Sequence, residues 1–118
     1  MQGHSGAVLG VAVTPDGKRA ISASIDKTVK VWHLETGRNL CTLKGHAAPV
    51  HGVAVAPGGI RAVSASADQA LKLWDIDTGV LITTFRSEGS ALCCAFAAER
   101  RIVAGDEAGR VYFLALED

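Results

Sequence analysis

The chain has 118 residues, of which 48% are hydrophobic and 20% are charged. This length fits a single domain, and the apolar content is enough for a core and too high for a disordered chain. The 12 basic and 12 acidic residues give a net charge of zero, which argues against nucleic acid and anionic membranes as partners. No apolar run approaches the roughly 18 residues that are needed to cross a bilayer.

The three cysteines, Cys41, Cys93 and Cys94, all lie in apolar stretches. An odd number of cysteines does not suggest a disulfide framework, and none has a Cys or His partner at zinc-ligand spacing. We therefore expect small buried side chains in a reducing compartment, which predicts a cytoplasmic protein without a metal or another cofactor.

Three stretches of the chain are copies of one another. Gly3-His4 recurs as Gly45-His46 and Trp32 recurs as Trp74, each after 42 residues, and a more divergent third copy follows. A repeat of this size is a small supersecondary unit that must stack on its neighbours to bury its apolar faces. We treat the chain as one domain, 1–118, with repeats at about 3–44, 45–86 and 87–118.

Each copy consists of short apolar or alternating runs that are separated by turn residues, which predicts an all-β structure. The predicted strands of the first two copies are 8–13, 18–24, 28–34 and 38–44, then 50–56, 60–66, 70–76 and 80–86. The third copy provides only 91–97, 101–105 and 110–116, so that it lacks a fourth, outer strand. The first strand of each copy is apolar on both faces, and we expect it to be covered on both sides.

The order of Gly-His, a Ser-x-Ser-x-Asp turn and a strand that ends in Trp resembles the WD40 repeat. Residues 22–26 and 64–68 are the two turns, and Trp32 and Trp74 end the following strands. The resemblance implies that each copy is a four-stranded blade of a β-propeller. The near-identity of the first two copies also resembles the repeats of bacterial regulatory proteins.

The resemblance also implies a hydrogen-bonded tetrad in each of the first two copies. Its members are His4, Ser22, Asp26 and Trp32 in the first copy, and His46, Ser64, Asp68 and Trp74 in the second. A Ser, a His and an Asp could form a hydrolase triad, but this trio occurs twice and always with Trp, which favours an architectural role and a non-enzymatic protein. The third copy has Glu88, Ala104 and Leu114 at the His, Ser and Trp positions, so we expect no such tetrad there.

WD40 propellers bind proteins or peptides on the rim of the central channel, which the resemblance places on two sets of turns. The rim candidates in this chain are Ile25, Lys27, Ala48, Pro49, Ala67, Gln69, Glu88 and Glu107. The set is poor in the aromatic and arginine residues that dominate strong interfaces. The expected partner is a protein or peptide that the sequence does not identify.

Three blades do not close a ring, because propellers typically have four to eight. We therefore expect the chain to complete a propeller with copies of itself, and we favour a dimer of six blades over a trimer of nine. Two alternatives stay open. The chain could be a fragment of the sensor propeller of a larger bacterial signalling protein, or a self-assembling propeller that is purely structural and has no ligand.

Overall fold

A computed structural model describes residues 3–116, and within this range it contains eleven β-strands and no helix. Blade 1 consists of β1 (Val8–Val13), β2 (Arg19–Ser24), β3 (Thr28–His33) and β4 (Asn39–Lys44). Blade 2 consists of β5 (Val50–Val55), β6 (Arg61–Ser66), β7 (Ala70–Asp75) and β8 (Val80–Arg86). Blade 3 consists of β9 (Ala91–Ala98), β10 (Arg101–Asp106) and β11 (Val111–Ala115).

Each blade is a separate antiparallel sheet in which the strands follow one another in chain order. The predicted all-β fold, with sheets of four, four and three strands, is confirmed. The strand bounds differ from the prediction by at most one residue at either end. The fourth strands, β4 and β8, lie at sheet edges.

Every blade has two faces. The forward face lies toward the next blade in chain order, and the rear face lies toward the preceding blade. The forward face of blade 1 includes Ile21, Val29 and Val31, which form one core with Trp74 and Ala62 of blade 2. We call the face that carries Trp74 and Ala62 the rear face of blade 2. This packing removes apolar surface from water, which is the main stabilising term for so small a chain.

The second core repeats this arrangement one blade further on. Val63, Leu71 and Leu73 on the forward face of blade 2 pack against Ile102 and Ala104 on the rear face of blade 3. The outer faces at the two ends of the stack have no neighbour among residues 3–116. These are the rear face of blade 1 and the forward face of blade 3.

The open ends correct one prediction. The first strands were expected to be covered on both sides, but Val11 and Val13 of β1 are 64% and 52% exposed. Cys93 of β9 is also exposed and Cys41 and Cys94 are half-buried, so the expectation that the cysteines are buried was wrong as well. The prediction was wrong for β1 and β9 because a local apolar pattern does not reveal which blades lie at the ends of the stack.

The turn between the second and third strands of each blade places one residue in the left-handed region. This residue is Lys27 (φ 75°) in blade 1, Gln69 (φ 66°) in blade 2 and Gly109 (φ 86°) in blade 3. Apart from Gly109 and its two chain neighbours, no described residue has an atom within 4 Å of the position that a Cβ on Gly109 would take. A substitution at Gly109 therefore changes the backbone energy without a steric clash.

Gly109→Ala is expected to lower the free energy of unfolding by about 1 kcal/mol, because Ala adopts positive φ only at a cost. Gly109→Asn should lose less, since Asn tolerates this conformation better. Urea unfolding of the three proteins measures the order Gly, Asn, Ala. Equal midpoints for the Ala variant and the wild type would contradict the assigned conformation.

Candidate binding rim and its supporting networks

A four-residue network joins the loop before β1 to the β2–β3 turn in blade 1. The His4 ring contacts the Asp26 carboxylate through Nδ1 at 2.9 Å and the Ser22 hydroxyl through Nε2 at 2.6 Å. The Trp32 indole N–H donates to the same hydroxyl oxygen at 2.8 Å. The structure thus brings together all four residues that the resemblance implied for this copy.

Blade 2 has the same network with nearly identical distances. His46 lies 2.9 Å from Asp68 and 2.6 Å from Ser64, and Trp74 donates to Ser64 at 2.9 Å. All of these groups are satisfied if His46 Nδ1–H donates to Asp68, the Ser64 hydroxyl donates to Nε2, and Ser64 accepts from Trp74. In this assignment the imidazole is neutral.

The pKa of His46 agrees with this assignment. Burial lowers its pKa below the usual value, and the hydrogen bond and charge of Asp68 offset only part of that effect. The pKa of Asp68 is also lowered, since hydrogen bonds from the Ala47 N–H and from His46 outweigh the opposing effect of burial. The folded network therefore holds a neutral histidine beside a charged carboxylate.

The Ser, His and Asp of this network are placed for structure and not for nucleophilic attack. The side chain of Ser64 has no exposed surface, and the indole N–H of Trp74 occupies its oxygen. A catalytic serine needs access to its substrate and a position near donors for a developing oxyanion. The geometry supports the architectural interpretation.

The two tetrads differ in the hydrogen bonds that one carboxylate oxygen of the Asp accepts. In blade 1, Thr28 donates both its N–H and its hydroxyl to Asp26 Oδ1, at 3.0 and 2.6 Å. The corresponding residue in blade 2 is Ala70, which has no hydroxyl. Asp68 Oδ1 accepts no hydrogen bond from the Ala70 N–H either and is buried without a donor among residues 3–116; an unsatisfied buried oxygen is destabilising.

Blade 3 replaces the tetrad with another network, which the sequence analysis did not find. The buried carboxylate of Asp106 accepts from the Tyr112 hydroxyl at 2.8 Å and from the backbone N–H groups of Ala108 and Arg110, each at 3.0 Å. The hydroxyl oxygen of Tyr112 in turn accepts from the N–H of Glu88 at 2.9 Å. These bonds connect the same loop and turn as the tetrads do.

The Asp106 network also favours the charged form of the Asp106 carboxylate. Hydrogen bonds from Arg110 and Tyr112 hold the pKa of Asp106 below its usual value, although burial acts in the opposite direction. The Arg110 side chain forms ion pairs with Asp106 at 3.3 Å and with Glu88 at 3.0 Å. Glu88, which occupies the His position and was a rim candidate, thus has a cationic partner.

The rim candidates gather at one edge of the three blades. In each blade the turn after β2, β6 or β10 donates a backbone N–H to the loop that leads into the first strand; the pairs are Ile25 to Ala7, Ala67 to Pro49 and Glu107 to Ser90. Ser90 also donates to the carbonyl of Ala67, which connects blades 2 and 3 at 3.4 Å. The exposed rim candidates are Ile25, Lys27, Gln69, Glu88 and Glu107, whereas Ala48, Pro49 and Ala67 are half-buried.

Residues 3–116 contain no group of three or more His, Cys, Asp or Glu side chains that could hold a metal ion. Within the same range no helix has the length and apolar character that a membrane span requires.

Ala70→Ser is expected to stabilise the protein by about 1 kcal/mol, because the new hydroxyl can donate to the buried Asp68 Oδ1. Serine adds one oxygen without the extra methyl group of threonine, which limits crowding at this buried position. Urea unfolding measures the effect. The control is Thr28→Ala in blade 1, which should destabilise by removing the same bond; a neutral or destabilising Ala70→Ser would contradict the assignment.

The stability of the protein should fall as pH decreases below about 6.5. The unfolded state takes up a proton on His46 near that pH, whereas the folded state resists protonation because its pKa is lowered. Stability is therefore complete above the unfolded pKa and is lost as pH falls toward the folded pKa. Urea midpoints from pH 8 to pH 5 measure the loss, which should be smaller in His46→Gln. Equal pH dependence in both proteins would contradict this explanation.

Comparison with known families assigns the repeats. A family model described as a WD domain, G-beta repeat, matches residues 1–33 and 37–75, which is well over half of the chain. A second model, described as a TEP-1 C-terminal beta-propeller, matches residues 59–116. Together they extend over all three blades.

Curated relatives match only locally. The chain is 44% identical over 43 residues to proteins named ribosome biogenesis protein BOP1 homolog from Drosophila willistoni, Drosophila erecta and Drosophila melanogaster. The match covers 36% of this chain but 6% of each relative. These are fly proteins, and the expected resemblance to bacterial regulatory proteins gains no support from them. The blade architecture, the tetrads and the family match together show that the chain belongs to the WD40 repeat family.

Proposed function

We propose that the chain is a non-enzymatic protein-interaction scaffold in which a second copy completes the propeller. The family supports the first part, because WD40 repeats imply an interaction scaffold and are generally not enzymes. The assembly rests on one observation. The two open ends of the blade stack present the same two surfaces that pack against each other inside the chain.

The forward face of blade 3 provides half of this interface. Phe113 and Val111 are 79% and 59% exposed there. Their counterparts one repeat earlier, Leu73 and Leu71, are buried against blade 3. Burial of a large apolar side chain contributes roughly 1.5–3 kcal/mol, so a blade that docks on this face would gain substantial stability.

The rear face of blade 1 provides the other half. Trp32 is half-buried there, while its counterpart Trp74 in blade 2 is buried against blade 1. Val11 and Val13 are exposed beside it. The rear face of blade 1 in a second copy could therefore pack against the forward face of blade 3 in the first copy. Blade 2 packs against blade 1 in the same way within one chain. Two copies that dock in this way at both ends give six blades, which lies within the usual range.

The rim would then be a continuous ring of turns around the channel. Its exposed members carry charges of both signs and few anchor residues, which favours weak contact with a polar peptide or protein segment. The rim gives no reason to expect nucleic acid or membrane as a partner. The cytoplasmic location, which was expected from the cysteines, stays a prediction.

Two alternative functions are compatible with the same open faces. Further blades of a longer chain, such as a signalling protein with a sensor propeller, would cover the same open faces. The short match to a small part of the BOP1 homologs is compatible with this origin. A purely structural propeller would assemble in the same way and bind nothing at the rim.

Mass in solution tests the assembly. Light scattering at micromolar concentration should give twice the 12.2 kDa of one chain. Phe113→Asp should yield monomers, because it places a carboxylate in the interface without a partner. Val80→Asp is the matched control, since Val80 is an exposed apolar residue on the outermost strand of the middle blade. A monomeric wild type would contradict the proposal.

A further inference from the structure

Blades 1 and 2 also contact each other at the edge opposite the rim. Arg19, the first residue of β2, extends across to blade 2. Its guanidinium donates to the Gly59 carbonyl at 3.1 Å and forms an ion pair with the Asp77 carboxylate. A planar group with several donors is suited to hold two acceptors in a fixed geometry.

The arginine recurs at the same place in every copy. Arg61 begins β6 and Arg101 begins β10, at the positions that Arg19 has in β2. In the strand pairing, Arg19 lies opposite His33, Arg61 opposite Asp75 and Arg101 opposite Ala115. Arg101 is exposed and belongs to the blade whose forward face is open.

The acceptors recur as well. Gly17 and Glu35 of blade 1 occupy the positions of Gly59 and Asp77, 42 residues earlier. The turns are alike: the φ angles of Gly17 and Gly59 are 72° and 78°, and each N–H donates to the carbonyl three residues before at 2.9 Å. The Gly17 carbonyl of blade 1 is therefore the equivalent of the Gly59 carbonyl, which accepts from Arg19 on blade 2.

A hollow lies at this place on blade 1. Gly17, Lys18, His33 and Glu35 line a cavity of about 270 Å³. Its carboxylate comes from Glu35, which is one methylene longer than Asp77 and is exposed. Lys18 and His33 stand where blade 2 has Ile60 and Asp75, so Glu35 is the one carboxylate among the four lining residues.

We propose that this hollow is a seat for an arginine guanidinium, and that its occupant is Arg101 from a second copy of the chain. The inference rests on the proposed assembly and adds the polar contact that fixes its register. Apolar faces alone permit sliding, whereas a guanidinium held by Glu35 and the Gly17 carbonyl specifies one alignment. Arg101 of each copy would occupy the seat on the other.

Charge reversal tests the seat. Arg101→Glu and Glu35→Arg should each weaken self-association by about tenfold or more, because each places two like charges in contact. The double variant with both changes should recover association to within about threefold of the wild type. Sedimentation equilibrium of the intact chains measures the dissociation constants. Circular dichroism shows whether each variant keeps its β-structure.

Arg86→Glu, at the exposed end of β8 in the middle blade, is the matched control and should associate like the wild type. If the wild type associates but the two reversals have no effect, the seat is wrong and the assembly stands. If the reversals weaken association and the double variant does not recover, the pairing of Arg101 with Glu35 is wrong. A wild type that never associates overturns both proposals.

Discussion

Burial of one blade face against the next is the interaction on which the rest of this structure depends. A sheet of three or four short strands has no interior of its own, and its apolar side chains are covered only by a neighbouring sheet. Val31 and Ile21 of blade 1 meet Trp74 of blade 2, and Val63 and Leu73 meet the rear of blade 3. Each contact uses the same two faces, which explains why the sequence repeats. The faces at the two ends of the stack have no neighbour among residues 3–116.

The polar networks depend on this packing and give the rim its shape. Trp74 contributes its ring to the core between blades and its N–H to Ser64, so that one side chain connects the apolar contact to the tetrad. In blade 3 the carboxylate of Asp106 and the hydroxyl of Tyr112 connect the corresponding loop and turn. Two chemically different networks therefore hold equivalent turns in place. The buried polar groups at this loop and turn must be hydrogen-bonded, but more than one set of side chains can do this.

The repeats and the strands could be predicted, because turns demand particular residues at fixed spacing. The tetrads of the first two blades were implied by the resemblance to the WD40 repeat. The Asp106 network was missed, since Asp106 and Tyr112 occupy other positions than the tetrad residues and only the fold brings their side chains together. The contact of Arg19 with Asp77 joins residues 58 apart and depends on how the blades stack. Its one sequence signal was an arginine at the same place in all three copies.

Alkylation of Cys93 tests most directly whether the forward face of blade 3 is covered by a second copy. This thiol is exposed on that face. The Cys94 side chain instead packs against the core between blades 2 and 3, and this desolvation, together with the neighbouring Cys93, raises the pKa of Cys94 to about 12, which disfavours the reactive thiolate. A Cys41→Ser background leaves Cys93 as the reactive thiol. We expect its rate of alkylation to fall as protein concentration rises through the dissociation constant. A rate that is independent of concentration would contradict the account.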